Sequence, residues 1–342
     1  MKIKIRNTVL YAAMFSCIST LTWMLFSVWG RDAVIFLLIM TVIMFLMYLT
    51  TAKLTQKAPK AAKIIIKTIE IILTVIMLTY VLFTILAAYA MFYPHKSESA
   101  DKILAAGEID GCYTEKIQFE SGIGKISGWM IKDKDYNAPM VLYFGGNAEV
   151  SGDKILTLIT SGYYKRMFSG CHFVMLDMPG YGSTDGFPTE NNLKSFGLSA
   201  YDYMTERYHP NKIIIFGFSI GTGTAHYVAS ERHTDGAVFL APYADGIDLN
   251  NSRLNIFYGP LRELVAYKME SIRFAEKIEV KPLVYASTTD EIIPYFSSEK
   301  LKTAYPNGCD FYKLNNVSHN NILDAYRVQD KIAEYIAEVT KI

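Results

Sequence analysis

The segment KIIIFGFSIGTGTAHYVA, Lys212 to Ala229, restricts what this chain can fold into more than any other. A β-branched apolar run passes into a stretch of small helix formers through Gly217-Phe218-Ser219-Ile220-Gly221. The run has the composition of a strand buried on both faces. A sharp turn between such a strand and a helix lifts its central hydroxyl clear of the carboxyl edge of a sheet, where a nucleophile works. Glycines flank the serine because side chains there would meet the neighbouring strand and helix, and Gly223 and Ala225 continue the small face. The turn also sets the Ile220 amide at a helix N-terminus, ready to donate to an oxyanion. The plainer use of such a serine is as a helix N-cap.

The surrounding pattern supplies the sheet. KIQFE, KISGWMIK and MVLYF read as strands, Ser151 to Phe168 as a helix, HFVMLDMPG as a strand ending in a turn, and Asn191 to Tyr208 as a helix. After Ser219 come GAVFLAP, KPLVYAS and DFYKL as strands, with helices from Ser297 to Ala304 and from Asn321 onward. A hairpin followed by strand–helix alternation predicts an α/β fold with a mostly parallel sheet and helices on both faces. Residues 95–114 read as a linker. An insertion over about 243–280 is too long for a plain loop. Leu254, Ile256, Phe257, Tyr258, Leu261, Leu264, Val265 and Tyr267 give it an apolar side, suited to a small helical cap over an acyl pocket or to packing on the sheet edge.

The first 94 residues differ in composition. Stretches 8–29, 33–51 and 71–93 carry no charge and are each long enough to cross about 30 Å of hydrocarbon. They predict three transmembrane helices in a membrane domain, 1–94, ahead of the catalytic domain, 95–342. A cleaved signal peptide fits the first stretch poorly, because its apolar segment is too long and no small-x-small site follows. Lys2, Lys4 and Arg6, with Lys53, Lys57, Lys60, Lys63 and Lys67, bias the N-terminus and the second connection to the cytoplasm. Three crossings then put the catalytic domain outside a multi-pass cell-membrane protein. Lys67 and Glu70 have the spacing of an i,i+3 pair. A net charge of +1 gives no footprint for nucleic acid. Cys17, Cys112, Cys171 and Cys309 include no C-x-x-C pair, so neither a zinc site nor a disulfide framework is expected. Without a phosphate-binding glycine loop or metal-ligand spacing, no cofactor is expected either.

Gly217–Gly221, LYFGGNAE (Leu142–Glu149) and DMPGYGSTDG (Asp177–Gly186) together resemble the α/β-hydrolase superfamily. More narrowly they resemble its membrane-anchored lysophospholipase, monoacylglycerol-lipase and depalmitoylase-like members. The resemblance covers about Tyr113 to the C-terminus and implies the α/β-hydrolase fold and a serine hydrolase. The family's usual His-Gly-Asn at the third-strand turn is here Gly145-Gly146-Asn147. The Asn147 amide can still donate to an oxyanion, but the local support of the loop is altered.

A serine nucleophile needs a base and an orienting carboxylate, and in this fold the order is Ser, Asp or Glu, His. Of six histidines, His95 lies beside the expected membrane, His172 begins a strand, His209 precedes Pro210, and His226 and His233 lie along and at the end of the helix after Ser219. His319 alone follows a late strand on a loop at the right edge. For the acid, Asp290 follows KPLVYA; Glu291, Asp245 and Asp248 are rivals, and the resemblance favours Asp290. Asp177 and Asp185 flank the glycine turn and read as braces. The expected activity is hydrolysis of carboxylic esters or thioesters, with acyl lipids as substrates and the lipid bilayer as partner. Acyl transfer, peptide hydrolysis, a catalytically silent binding protein and a transporter accessory are the alternatives; oligomeric state is not legible.

Overall fold

Alternation of buried apolar runs with helices yields one nine-stranded sheet in the computed structural model, which describes residues 42–56, 58–96 and 98–341. The strands are β1 (Glu108–Ile109), β2 (Cys112–Ser121), β3 (Gly124–Lys132), β4 (Met140–Phe144), β5 (His172–Leu176), β6 (Ile213–Phe218), β7 (Gly236–Leu240), β8 (Leu283–Ser287) and β9 (Asp310–Leu314). Their order is β1-β2-β3-β5-β4-β6-β7-β8-β9. Pairing is antiparallel from β1 through β3 to β5 and parallel across the rest. β4, β5, β7 and β8 are buried along their whole length, as strands covered on both faces must be. β2 alternates buried with accessible residues for most of its length and has one wet face.

Register brings the site together. Phe144 pairs with Gly217, and Phe218 pairs with Leu240. The carboxyl ends of β4, β6 and β7 therefore stand side by side, and the loops that leave them meet at one edge.

Local chemistry moved several boundaries. The helix expected over Ser151–Phe168 is two, Ser151–Thr160 and Tyr163–Met167, because Gly162 sits between them at φ +75°. The stretch 95–114 is more than a linker. It holds the helix Glu98–Leu104, which buries Ala100 and Leu104, and the short strand β1. The insertion forms a helix Gly246–Arg253, a 3₁₀ turn Gly259–Leu264 and a short helix Ser271–Ala275. It turns Phe257, Val265 and Tyr267 inward and leaves Leu254, Ile256, Tyr258 and Leu261 exposed.

The chain divides into two compact units, one ending at Leu86 and the other running from Ala87 to Ile342. In the first, Lys67 pairs with Glu70 at 2.7 Å, and Glu70 also accepts from Thr51 Oγ1. The expectation of three transmembrane helices is corrected here: among the described residues no helix is long and apolar enough to cross a membrane. Stretch 8–29 and residues 33–41 lie outside the described residues. Stretch 71–93 falls on the helix Lys60–Met91, whose opening turns carry Lys60, Lys63, Lys67 and Glu70. Its far end belongs to the second unit, where Phe92 is buried. The multi-pass location, with a cytoplasmic N-terminus and an outward-facing catalytic domain, falls with the helices.

Candidate active site

Ser219 occupies the turn between β6 and the helix Gly221–Glu231 at φ +54°, a conformation a serine adopts only when its surroundings hold it there. Its amide donates to Leu240 O at 2.9 Å, tying the turn to β7. The flanking glycines are required by contact. A Cβ on Gly217 would lie 2.7 Å from Ala225 Cβ, and one on Gly221 would lie 2.3 Å from the carbonyl oxygens of Phe144 and Gly145. The helix thus presses directly on the backbone leaving β4.

His319 opens a 3₁₀ turn (His319–Asn321) beyond β9. Its Nε2 lies 2.8 Å from Ser219 Oγ and its Nδ1 lies 2.7 Å from Asp290 Oδ2. Asp290, in the turn after β8, accepts from the amides of Ile292 and Ile293 through Oδ1, at 2.8 and 2.7 Å. The His319 and Asp290 side chains are 5% and 1% exposed, so water does not compete for their contact. Phe218 stacks on the imidazole with centroids 5.0 Å apart. With Nδ1–H donating to Asp290, Nε2 is left to accept from the serine hydroxyl.

The rival carboxylates have other partners. Glu291 accepts from the His319 backbone amide at 3.2 Å. Asp245 caps the helix Gly246–Arg253 through the Asp248 amide, and Asp248 is held by Lys300 and Ser297. His226 is buried, donating from Nδ1 to Thr222 O and accepting from Tyr305 at Nε2. His172 accepts from the Asp133 amide and contacts Tyr136 O. Asp177 accepts from the Ser151 amide at 2.6 Å, and Asp185 accepts from that of Lys125. Cys112, Cys171 and Cys309 are free, and burial pushes the Cys171 thiol up to about 12. Among the described residues no cluster of His, Cys, Asp and Glu is placed to hold a metal ion.

The loop Gly145–Asn147 runs beside the serine. A Cβ on Gly146 would lie 2.8 Å from the Phe218 ring and 3.5 Å from Ser219 Cβ. Glu149 braces this loop. Its Oε2 accepts from the Gly146 amide and from Tyr143, both at 2.7 Å, and its Oε1 accepts from Lys154 at 2.6 Å. Burial works to raise the Glu149 carboxyl, but Lys154 and the other donors outweigh it and hold the group below its ordinary value. A Cβ on Gly145 would lie 2.5 Å from Met175 Cε and 3.1 Å from Glu149 Oε2, so these two side chains crowd the space a larger residue would take there. Nothing in the sequence pointed to Glu149, since the partners that give it this place come from a strand end, a loop and a helix.

Next to Ser219 lies a cavity of about 420 Å³. Phe218, Leu158, Leu240, Ile292 and Leu323 give it apolar walls, and Lys154 and Arg253 stand among its polar groups. Among the described residues of the insertion Arg253 alone lines it; Leu254, Ile256, Phe257, Tyr258, Leu261, Val265 and Tyr267 do not.

No protein-family model matches the chain. Its sequence is similar to lysophosphatidylserine lipase ABHD12 of Danio rerio, 35% identical over 195 residues, covering 52% of this chain and 50% of that protein. It is also similar to alpha/beta hydrolase domain-containing protein 17C of Xenopus tropicalis, 24% identical over 247 residues, covering 71% and 76% of the two chains. Among solved structures, the Pyrococcus furiosus esterase PF2001 superposes with a TM-score of 0.56 at 14% identity, covering 73% of this chain and 98% of the esterase. Sheet order, relatives and structural neighbours agree: the protein is an α/β-hydrolase of the serine hydrolase class, and its chemistry is ester hydrolysis.

Proposed function

We propose that Ser219, His319 and Asp290 form the catalytic triad of an esterase acting on single-chain acyl lipids. The continuous hydrogen-bonded line from Asp290 through His319 to Ser219 carries this reading. His319 Nε2 takes the hydroxyl proton as Ser219 Oγ attacks the ester carbonyl carbon, and Asp290 stabilises the imidazolium that forms. The amides of Ile220 and Asn147 receive the oxyanion, each such donor contributing about 10²- to 10³-fold to rate. The tetrahedral intermediate collapses as His319 returns the proton to the leaving alkoxide, leaving an acyl-enzyme. Water, deprotonated by His319, then attacks the acyl carbon and releases the carboxylic acid and the free serine.

The acyl-lipid assignment draws on the apolar walls of the cavity beside Ser219 and on the sequence similarity to a protein named as a lysophosphatidylserine lipase. Each methylene buried along those walls contributes about 0.8 kcal/mol. Across C2 to C16 monoacyl esters, kcat/KM therefore rises with chain length until the cavity is filled. Ser219→Ala abolishes labelling by a fluorophosphonate and lowers turnover about 10⁴-fold or more, with folding retained. Persistent labelling would remove the serine assignment; a preference for acetyl over long chains would remove the lipid one.

A further inference from the structure

Residues 91–95 pass across the loop that carries Asn147. The Asn147 carboxamide donates from Nδ2 to Met91 O at 2.7 Å, and its Oδ1 accepts from the Tyr93 amide at 2.9 Å. Oδ1 also accepts from the Tyr181 hydroxyl at 2.7 Å, and that hydroxyl accepts from the Tyr93 amide at 3.0 Å. Tyr181 is fully buried, and burial holds its phenol protonated as a permanent donor. On either side of Tyr93 the segment is anchored. Phe92 is buried edge-on to Tyr267, with centroids 5.4 Å apart, and His95 O accepts from the Gly182 amide at 2.9 Å. Tyr93 itself lines the cavity with Ser219 and His319.

The loop so held is not one that relaxes into place by itself. Ala148 sits at φ +64°, a strained value for a residue with a side chain, which persists only where outside contacts impose it. We infer that the Asn147 side chain is a positioning residue: through Met91, Tyr93 and Tyr181 it fixes the loop so that its own backbone amide faces the reacting carbonyl oxygen. The segment ahead of the sheet is then a working part of the active site. This rests on the oxyanion role given to the Asn147 amide above.

The test uses the full chain and p-nitrophenyl butyrate. Asn147→Ala keeps the amide and removes only the clamp. It lowers kcat about 10- to 100-fold with KM within about threefold, the signature of a contact used in the transition state. Tyr181→Phe lowers kcat about 3- to 10-fold, and the double variant is no worse than Asn147→Ala because both act through one network. Hydrogen exchange of the peptide spanning 91–95 speeds up in Asn147→Ala. The inference is overturned if Asn147→Ala retains kcat within about twofold, or if its loss falls in KM alone. Should Asn147→Ala fail to fold, unchanged kcat in Tyr181→Phe overturns it instead. Ser219→Ala separates the two readings. Activity without the serine defeats the triad; an inactive Ser219→Ala beside a fully active Asn147→Ala defeats only the clamp.

Discussion

Asp290 accepts from His319 through one oxygen and from two backbone amides through the other, so both oxygens of its carboxylate are engaged as acceptors. An amide at this position would turn an NH₂ toward either the imidazole or those amides. Asp290→Asn is therefore expected to cost on the order of 10⁴ in kcat, through the wrong imidazole tautomer. Glu291→Gln keeps an acceptor for the His319 amide and changes kcat little. Asp245→Asn keeps a good helix cap, and its effect stays within about 1 kcal/mol of stability. Steady-state kinetics on the three variants check the ranking, and a Glu291 effect as large as that of Asp290 would reassign the acid. At this scale the contacting trio was legible in part. Chain order and loop position singled out His319, and the resemblance favoured Asp290 over Glu291, Asp245 and Asp248; it is Asp290 that contacts the His319 ring. Glu149, Tyr181 and the Asn147 side chain were not legible at all, because what they do depends on partners 34 to 56 residues away or on a chain reversal that composition does not encode.

Among the elements, the turn around Ser219 is where backbone geometry and chemistry meet. Gly221 has carbonyl oxygens 2.3 Å from where a Cβ would sit, and backbone cannot move aside as a side-chain tip can. Gly122, by contrast, has nothing within 4 Å of that position and no left-handed φ. Gly221→Ala is expected to lose most activity and about 1–3 kcal/mol or more of stability, while Gly122→Ala is near neutral. Urea denaturation and esterase assays on the pair decide the matter; a fully active Gly221→Ala would mean the helix does not press on the β4 loop. The parallel strands were legible because their apolar runs are continuous and end in turns. Helix limits were less so, as at Ser161-Gly162, where a left-handed glycine splits a periodic run. The apolar stretch 71–93 misled for a related reason. Hydropathy cannot tell that Phe92, near its end, is buried in a protein unit.

Two buried groups outside the Ser219–His319–Asp290 line shape the pH response of the whole molecule. Burial raises the Asp177 carboxyl from 3.8 to about 6, so the folded state holds that proton more tightly than the unfolded chain. Its contribution is full below about pH 4 and is lost as pH rises through 6. Burial lowers His226 from 6.5 to about 4, so its contribution is full above 6.5 and is lost as pH falls through 4. Each amounts to roughly 3 kcal/mol, opposite in sign over nearly the same range. Relative to wild type, Asp177→Asn should gain stability as pH rises from 4 to 6, and His226→Gln should gain it as pH falls from 6.5 to 4. Urea midpoints across that range test both, and variant curves parallel to wild type would refute them.

The separation of 100 positions from Ser219 to His319 matters while the chain is being made. A ribosome adding about 5–20 residues per second delivers the serine roughly 5–20 s ahead of its base. During that interval β7, β8 and β9 are still being made, the closing helix has not begun, and the imidazole that faces the hydroxyl is absent. With His319 as the base proposed above, a nascent chain that stops short of it is expected to be chemically silent toward surrounding esters.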